Sequence, residues 1–244
     1  MDEIQKAAKA FEKLLNTNTS YRIIGAKKGK LHSVDLFFQK SNFVHIAGLH
    51  HLKDIPNITR AKRENVFDDI LNGIITDDLI SKSNKYHKIQ ERISALSDIE
   101  SLLDSNRVIF KFFSKFSFGS MIDADYLLCS KSNAKDIYIF LDKNQNEDKY
   151  FCRSFFPKEC HDYTARQSQL AMLYKEKTVM GVTHIQLDKL YTYQTVEKSE
   201  YEHLKQIGVH FELLSSENDK YCIRYYTAER RKLLNNENTG EEHL

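Results

Sequence analysis

Three histidines, His45, His50 and His51, fall within seven residues of the otherwise apolar run Phe43-Val44-His45-Ile46-Ala47-Gly48-Leu49-His50-His51-Leu52. Imidazole titrates closest to neutral pH, so this run can supply general acid and base catalysis. On one continuous helix His45 and His50 would lie about 140° apart around the axis. That spacing is poor for a two-histidine metal grip, and no HExxH occurs. A second cluster follows Phe151 and Cys152: Arg153, Ser154 and Lys158, then Tyr163, Arg166 and Gln167. Such a density of donors at a strand end can hold a phosphate, which arginine grips with two parallel hydrogen bonds. Histidines and a phosphate cradle are sufficient for cleaving RNA without metal. A base takes the ribose 2′-hydroxyl proton, an acid protonates the departing 5′-oxygen, and cations stabilise the charged intermediate.

Other reactive types are less well placed. Four cysteines, at 129, 152, 160 and 222, form no CxxC and neither a zinc clip nor a disulfide framework. Cys129 and Cys160 read as structural. Asp123 and Asp125 share one side of a strand by its period of two and would be the carboxylates of a metal-dependent nuclease, the weaker alternative. Neither GxGxxG nor GxxxxGK[ST] occurs, so no nucleotide cofactor is expected, and no metal.

The elements that must position these residues read as helices first and strands second. Ile4, Ala7, Ala8, Phe11, Leu14 and Leu15 mark one buried helical stripe over 2–15. Residues 21–26 and 31–38 flank Lys27-Lys28-Gly29-Lys30 as a hairpin. The histidine run is expected as a short helix stopping before Pro56. A helix over 64–71 ends at Asn72-Gly73, Thr76 caps a short turn, and Ser83 caps a long helix through Ile89, Ile93, Leu96, Ile99 and Leu103. Four short apolar runs (107–113, 120–129, 136–141 and 150–156) then predict an antiparallel meander, with 169–178 as a fifth strand or a helix. The fold class is therefore α+β: N-terminal helices packed on a four- to five-stranded antiparallel β-meander, followed by a small C-terminal extension. The domain boundary is set at Gly181, dividing 1–180 from 181–244. The extension is expected to hold a helix over 197–207 and a basic aromatic stretch, Arg224-Tyr225-Tyr226 with Arg230-Arg231-Lys232. Residues 235–244 are polar and expected to fray.

The 244 residues carry 36 Lys and Arg against 34 Asp and Glu, and 15 Phe with 13 Tyr. That aromatic content supports a folded core and excludes disorder as the main state. The near balance of charge hides a gradient. Residues 1–60 hold ten basic against five acidic residues, 61–180 hold eighteen of each, and the remainder eight against eleven. A basic front end is compatible with a polyanionic partner. No stretch reaches eighteen apolar residues and the N-terminus lacks a secretion signal, so the expected setting is cytoplasmic, with no membrane contact.

The run from Leu36 to Ile55, with its Phe43…His45-Ile46…Gly48-Leu49-His50…Leu52…Asp54-Ile55, resembles the signature of a phage and bacterial nuclease family of the Barnase/EndoU/colicin/RelE-like group, its fourth phage subfamily. The likeness extends through Ile70–Ile75, Arg92-Ile93, Ala124–Leu128, Arg153–Pro157, Asp162–Gln167 and Leu173–Lys177, covering about residues 20–178. It implies N-terminal helices on a four-stranded antiparallel sheet and metal-independent ribonuclease activity, often in toxins of phage, plasmid or conflict systems. Matched residue by residue, His45 and His50 fall in its histidine-containing segment and Arg153, Ser154, Tyr163 and Gln167 in its later one; on the chemistry above, His45 or His50 is expected as base or acid, Arg153 with Ser154 at the phosphate, and Tyr163 and Gln167 orienting the RNA. A neutralising antitoxin or immunity protein is the implied partner. The rival reading is an inactive module of the same fold that binds RNA or protein.

Overall fold

The computed structural model describes residues 1–117, 121–132, 135–145 and 147–227. It divides into two compact units, 1–186 and 187–244.

The first unit begins with helix α1 (Glu3–Asn16), whose Ile4, Ala7, Ala8, Phe11 and Leu14 are buried as the stripe requires. Asp2 caps it, accepting from Gln5 N while the Gln5 side chain reaches back to Asp2 N. The second Asp2 oxygen accepts from Asp77 N, and Asp77 in turn accepts from Glu3 N. Strands β1 (Ser20–Lys27) and β2 (Lys30–Phe37) form the expected hairpin, turning through Lys28 and Gly29, both at positive φ. Short helices follow: α2 (Phe43–Ile46), α3 (Pro56–Thr59), α4 (Arg63–Leu71), α5 (Asp77–Ile80), α6 (Gln90–Leu96) and α7 (Ile99–Ser105). Thr76 caps α5 and Gly73, at φ 74°, follows α4. The long helix expected after Ser83 is instead a 3-10 turn at 86–88 plus α6 and α7, interrupted at Ser97 and Asp98. Ser83 spends its hydroxyl on the Asp54 carboxylate at 2.5 Å. Phe11, Phe43 and Phe67 from α1, α2 and α4 meet in one aromatic cluster, with Phe43 and Phe67 centroids 4.9 Å apart. Truncating such a fully buried ring costs about 3–5 kcal/mol.

The strands are β3 (Val108–Lys111), β4 (Tyr126–Ser132), β5 (Lys135–Lys143), β6 (Tyr150–Pro157), β7 (Ser168–Val179) and β8 (Val182–Asp188). The 169–178 segment is thus a strand. Sheet order is β1-β2-β6-β5-β4-β3-β7, and β7 pairs back onto β1, from Ser20 opposite Thr178 to Ala26 opposite Ala171. Among the described residues this is a closed seven-stranded mixed barrel, with β8 attached to β7, and not the expected four- to five-stranded antiparallel meander. The two ends of the meander are joined by the β1–β2 hairpin. β7 extends past β3 to reach β1, while β2 meets β6 in a short parallel pairing at Leu36–Tyr150 and Phe37–Phe151. Closure removes the exposed edges an open meander would keep.

The second unit consists of β9 (Tyr191–Glu197), helix α8 (Lys198–Gln206), β10 (Phe211–Glu217) and β11 (Lys220–Tyr226). Its antiparallel sheet runs β10-β11-β9 over a small core of Val196, Tyr201, Leu204, Ile223 and Tyr225. Arg224, Tyr225 and Tyr226 lie on β11. Arg230-Arg231-Lys232 and the polar end at 235–244 lie outside the described residues. No helix among the described residues is long and apolar enough to cross a membrane.

Candidate active site

The histidine run breaks at Gly48. Phe43, Val44 and Ile46 bury one side of α2, leaving His45 on the other. Gly48 takes φ 75°, a left-handed conformation open to glycine, and a 3-10 turn restarts at Leu49–His51. The reversal folds His50 back over α2. His45 and His50 centroids are 4.7 Å apart and those of His50 and His51 4.0 Å, where a continuous helix would have splayed His45 from His50. A glycine is also the residue that fits. A Cβ there would sit 2.8 Å from Ile89 Cγ2 and 3.0 Å from Arg92 Cδ.

Strand β6 approaches the rings from the barrel. Its pairing with β5 passes from Cys152 opposite Leu141 to Ser154 opposite Phe140, leaving Arg153 as the extra residue of a β-bulge. A bulge re-aims side chains, and it allows Cys152, Arg153 and Ser154 to line one pocket. The parallel β2–β6 pairing brings Gln39 and Asn42 to the same place. This pocket, about 460 Å³, also takes in His45, His50 and Arg63. A second, of about 500 Å³, takes in His50, His51, Arg92, Ser154, Phe156, His161 and Tyr163, together with the carboxylate of Glu159. The two share His50, Ser154, Met121 and Ile122 and form one groove with two lobes.

Five of the six expected site residues therefore line the groove. Tyr163 stands in the second lobe, its ring 5.5 Å from Phe156 and 4.4 Å from His161. The turn bearing it is tied by Asp162, which accepts from Tyr138, from the Thr164 amide and hydroxyl, and from Lys158. Those donors hold the Asp162 carboxyl well below the usual range. Gln167 is placed elsewhere. Its side chain clamps Phe113, accepting from the amide at 2.8 Å and donating to the carbonyl at 3.1 Å, which makes it a loop fastener. Arg63, Gln39 and Asn42 join the expected residues here, as do His51, read only as part of the histidine run, and Arg92, read only as part of the family likeness. Arg92 had a visible sign: with Ile89, Ile93 and Leu96 it repeats at three and four, a cation on the apolar face of a helix.

The setting lowers the proton affinity of His45, His50 and His51. Burial, then Arg63 and Arg153, lower the proton affinity of His45. Burial, His51, His45 and Arg92 push His50 down to about 4, opposed by a hydrogen bond to the Val44 carbonyl, which a ring N–H must donate. His51 is lowered by burial and Arg92. Burial pushes Cys152 up to about 12, so it stands as a thiol and not a nucleophile, and Cys129 is raised for the same reason. Asp125 pairs with Lys111 at 2.8 Å, and neither it nor Asp123 lines the groove. Among the described residues no three His, Cys, Asp or Glu side chains gather as a metal site needs.

Compared with known families, residues 3–180 match the family described as phage-Barnase-EndoU-ColicinE5/D-RelE like nuclease4. The chain belongs to this family. No curated protein and no solved structure matches it. The matched residues of this Barnase-EndoU-ColicinE5/D-RelE-like nuclease span the barrel, helices α1 to α7 and every residue of the two-lobed groove, and stop just short of the second unit.

Proposed function

We propose that the chain is a metal-independent RNA endonuclease that cleaves by transesterification, working in the cytoplasm as a toxin or effector in phage conflict. The observation that carries this reading is the convergence of His45, His50, Arg63, Arg153 and Ser154 on one pocket of a nuclease-family domain. Neutral His50, with one ring nitrogen engaged by the Val44 carbonyl, has the other free to accept the ribose 2′-hydroxyl proton. The 2′-oxygen then attacks phosphorus, the bond to the 5′-oxygen breaks, and that oxygen takes a proton. His45 is the donor. An arriving phosphate neutralises Arg63 and Arg153, the cations that help lower its proton affinity, and so restores its proton. Arg153, Ser154 and Arg63 bind the phosphate and Tyr163 orients the strand. The products are a 2′,3′-cyclic phosphate and a 5′-hydroxyl. The four cysteines are free thiols, which suits a reducing cytoplasm, and a neutralising protein would be the partner of a free toxin.

The test is cleavage of a mixed RNA with and without EDTA, alongside His45→Ala, His50→Ala and Arg153→Ala. Cleavage should survive EDTA, leave cyclic ends, and fall about 10²–10⁴-fold in either histidine variant. A requirement for added metal defeats the mechanism. Tight RNA or protein binding with no cleavage by folded protein defeats the activity and leaves the inactive-module reading.

A further inference from the structure

The second lobe holds a cation without a bonded partner: Glu159 lines the same lobe as Arg92, but no hydrogen bond or ion pair among the described residues joins the two. Arg92 projects from α6 with its Nε buried and unpartnered, and no hydrogen bond or ion pair among the described residues engages its guanidinium. The guanidinium carbon lies 5.2 Å over the Phe156 ring, and the Gly48 backbone closes against the stem. Arg153 differs: it is exposed and already pairs with Asp142 at 2.6 Å. An unpaired guanidinium in a partly dry pocket attracts an anion, and its planar fork fits two phosphate oxygens at once.

We propose that Arg92 anchors a second phosphate, next along the strand from the one held between His45 and Arg153, so that the groove grips RNA across two consecutive phosphates. The lobes meet at His50 and Ser154, which places the reacting phosphate at their junction and its neighbour on Arg92. Phe156 is already covered by Arg92 and by the stacked Phe140 ring, so the half-buried Tyr163 is the aromatic side chain left in this lobe to meet an unpaired base, which favours a single strand. This inference rests on the nuclease reading for the identity of the ligand, but not on turnover.

Binding of 2′-O-methyl oligoribonucleotides, which lack the attacking hydroxyl, separates the two. The full chain is titrated with a dinucleoside carrying one phosphate and a trinucleoside carrying two. The second phosphate should tighten binding roughly tenfold. In Arg92→Gln that increment should vanish, while Arg153→Gln should weaken both ligands alike and keep it. With longer strands, Arg92→Gln should reduce the slope of log affinity against log salt by about 0.7. Thermal melting checks that each variant is folded, and Arg92→Lys, keeping the charge without the fork, should retain part of the increment. An increment that persists in folded Arg92→Gln overturns the proposal, as does failure of both ligands to bind the unaltered chain. Absence of cleavage with natural RNA, with the increment intact, would defeat the mechanism and leave the subsite standing.

Discussion

Two cations of the first unit, Lys175 and Arg92, are drawn inward and treated in opposite ways. Lys175 on β7 is fully buried, and its Nζ donates to the carbonyls of Leu103, Asp104 and Asn106 at the end of α7, the latter two at 3.0 Å. Beside it Lys177 pairs with Glu100 at 2.7 Å and Asp104 at 2.9 Å, and Asp104 also accepts from Tyr21 and Gln186. Arg92 has none of this. Burial lowers both groups, Lys175 to about 7 and Arg92 to about 10, so the difference lies in what receives their donors. Three carbonyls left by a helix end complete Lys175, which ties α7 to the barrel wall. Arg92 is left open beside a groove lined with histidines. A charge with every donor answered serves the fold, whereas one without a bonded partner at a pocket is the group that the proposed second phosphate would meet.

The largest expected effect that separates the two is on stability. Lys175→Met should cost about 3 kcal/mol or more, because three carbonyls lose their donor inside the protein. Arg92→Met should leave the melting temperature unchanged or raised, since it removes an unpaired charge while keeping a long stem. Equal destabilisation in the two variants, read by denaturant unfolding, would erase the contrast. Next comes the joint between the regions. Gly48→Ala should cost about 1–2 kcal/mol from its left-handed backbone alone. It should also displace Arg92 and part the imidazoles, so RNA affinity should fall with stability; unaltered affinity would deny Gly48 its positioning role.

The smallest effect concerns pH. His50 has a folded value of about 4 against about 6.5 for an unperturbed imidazole. Between those values the unfolded chain binds the proton more tightly. The stabilising contribution of neutral His50 is therefore complete above about pH 6.5 and is lost as pH falls toward 4. His50→Gln should flatten that part of the stability curve, and a slope unchanged by the substitution would show that His50 is not held neutral.

Part of this arrangement is readable along the chain. The stripe of α1, the Lys28-Gly29 turn, the stop at Gly73, the cap at Thr76 and the strand character of β3 to β6 follow from residue type and period, which depend on neighbours within a few positions. His45, His50, Arg153, Ser154 and Tyr163 were visible by chemistry and by their family signature. What escaped depends on distant partners. A period of two tells which face of β1 is buried, but not that Ile23 lies opposite Lys175 to close the barrel. On one continuous helix the histidines diverge, whereas Gly48 ends the helix and folds them together. Gln167 reads as a donor for substrate because an amide's side chain does not disclose its hydrogen-bond partner, here Phe113.

By itself, then, the order of residues determined the local elements, the reactive side chains and membership of the nuclease family, since each is written in short-range pattern. The tertiary structure alone decided that the sheet closes, that the bulge at Arg153 turns β6 toward the imidazoles, that Lys175 is answered and that Arg92 is not. Burial and pairing are properties of side chains brought together from far apart in sequence; they set the proton affinities on which the proposed chemistry depends and leave Arg92 without a bonded partner.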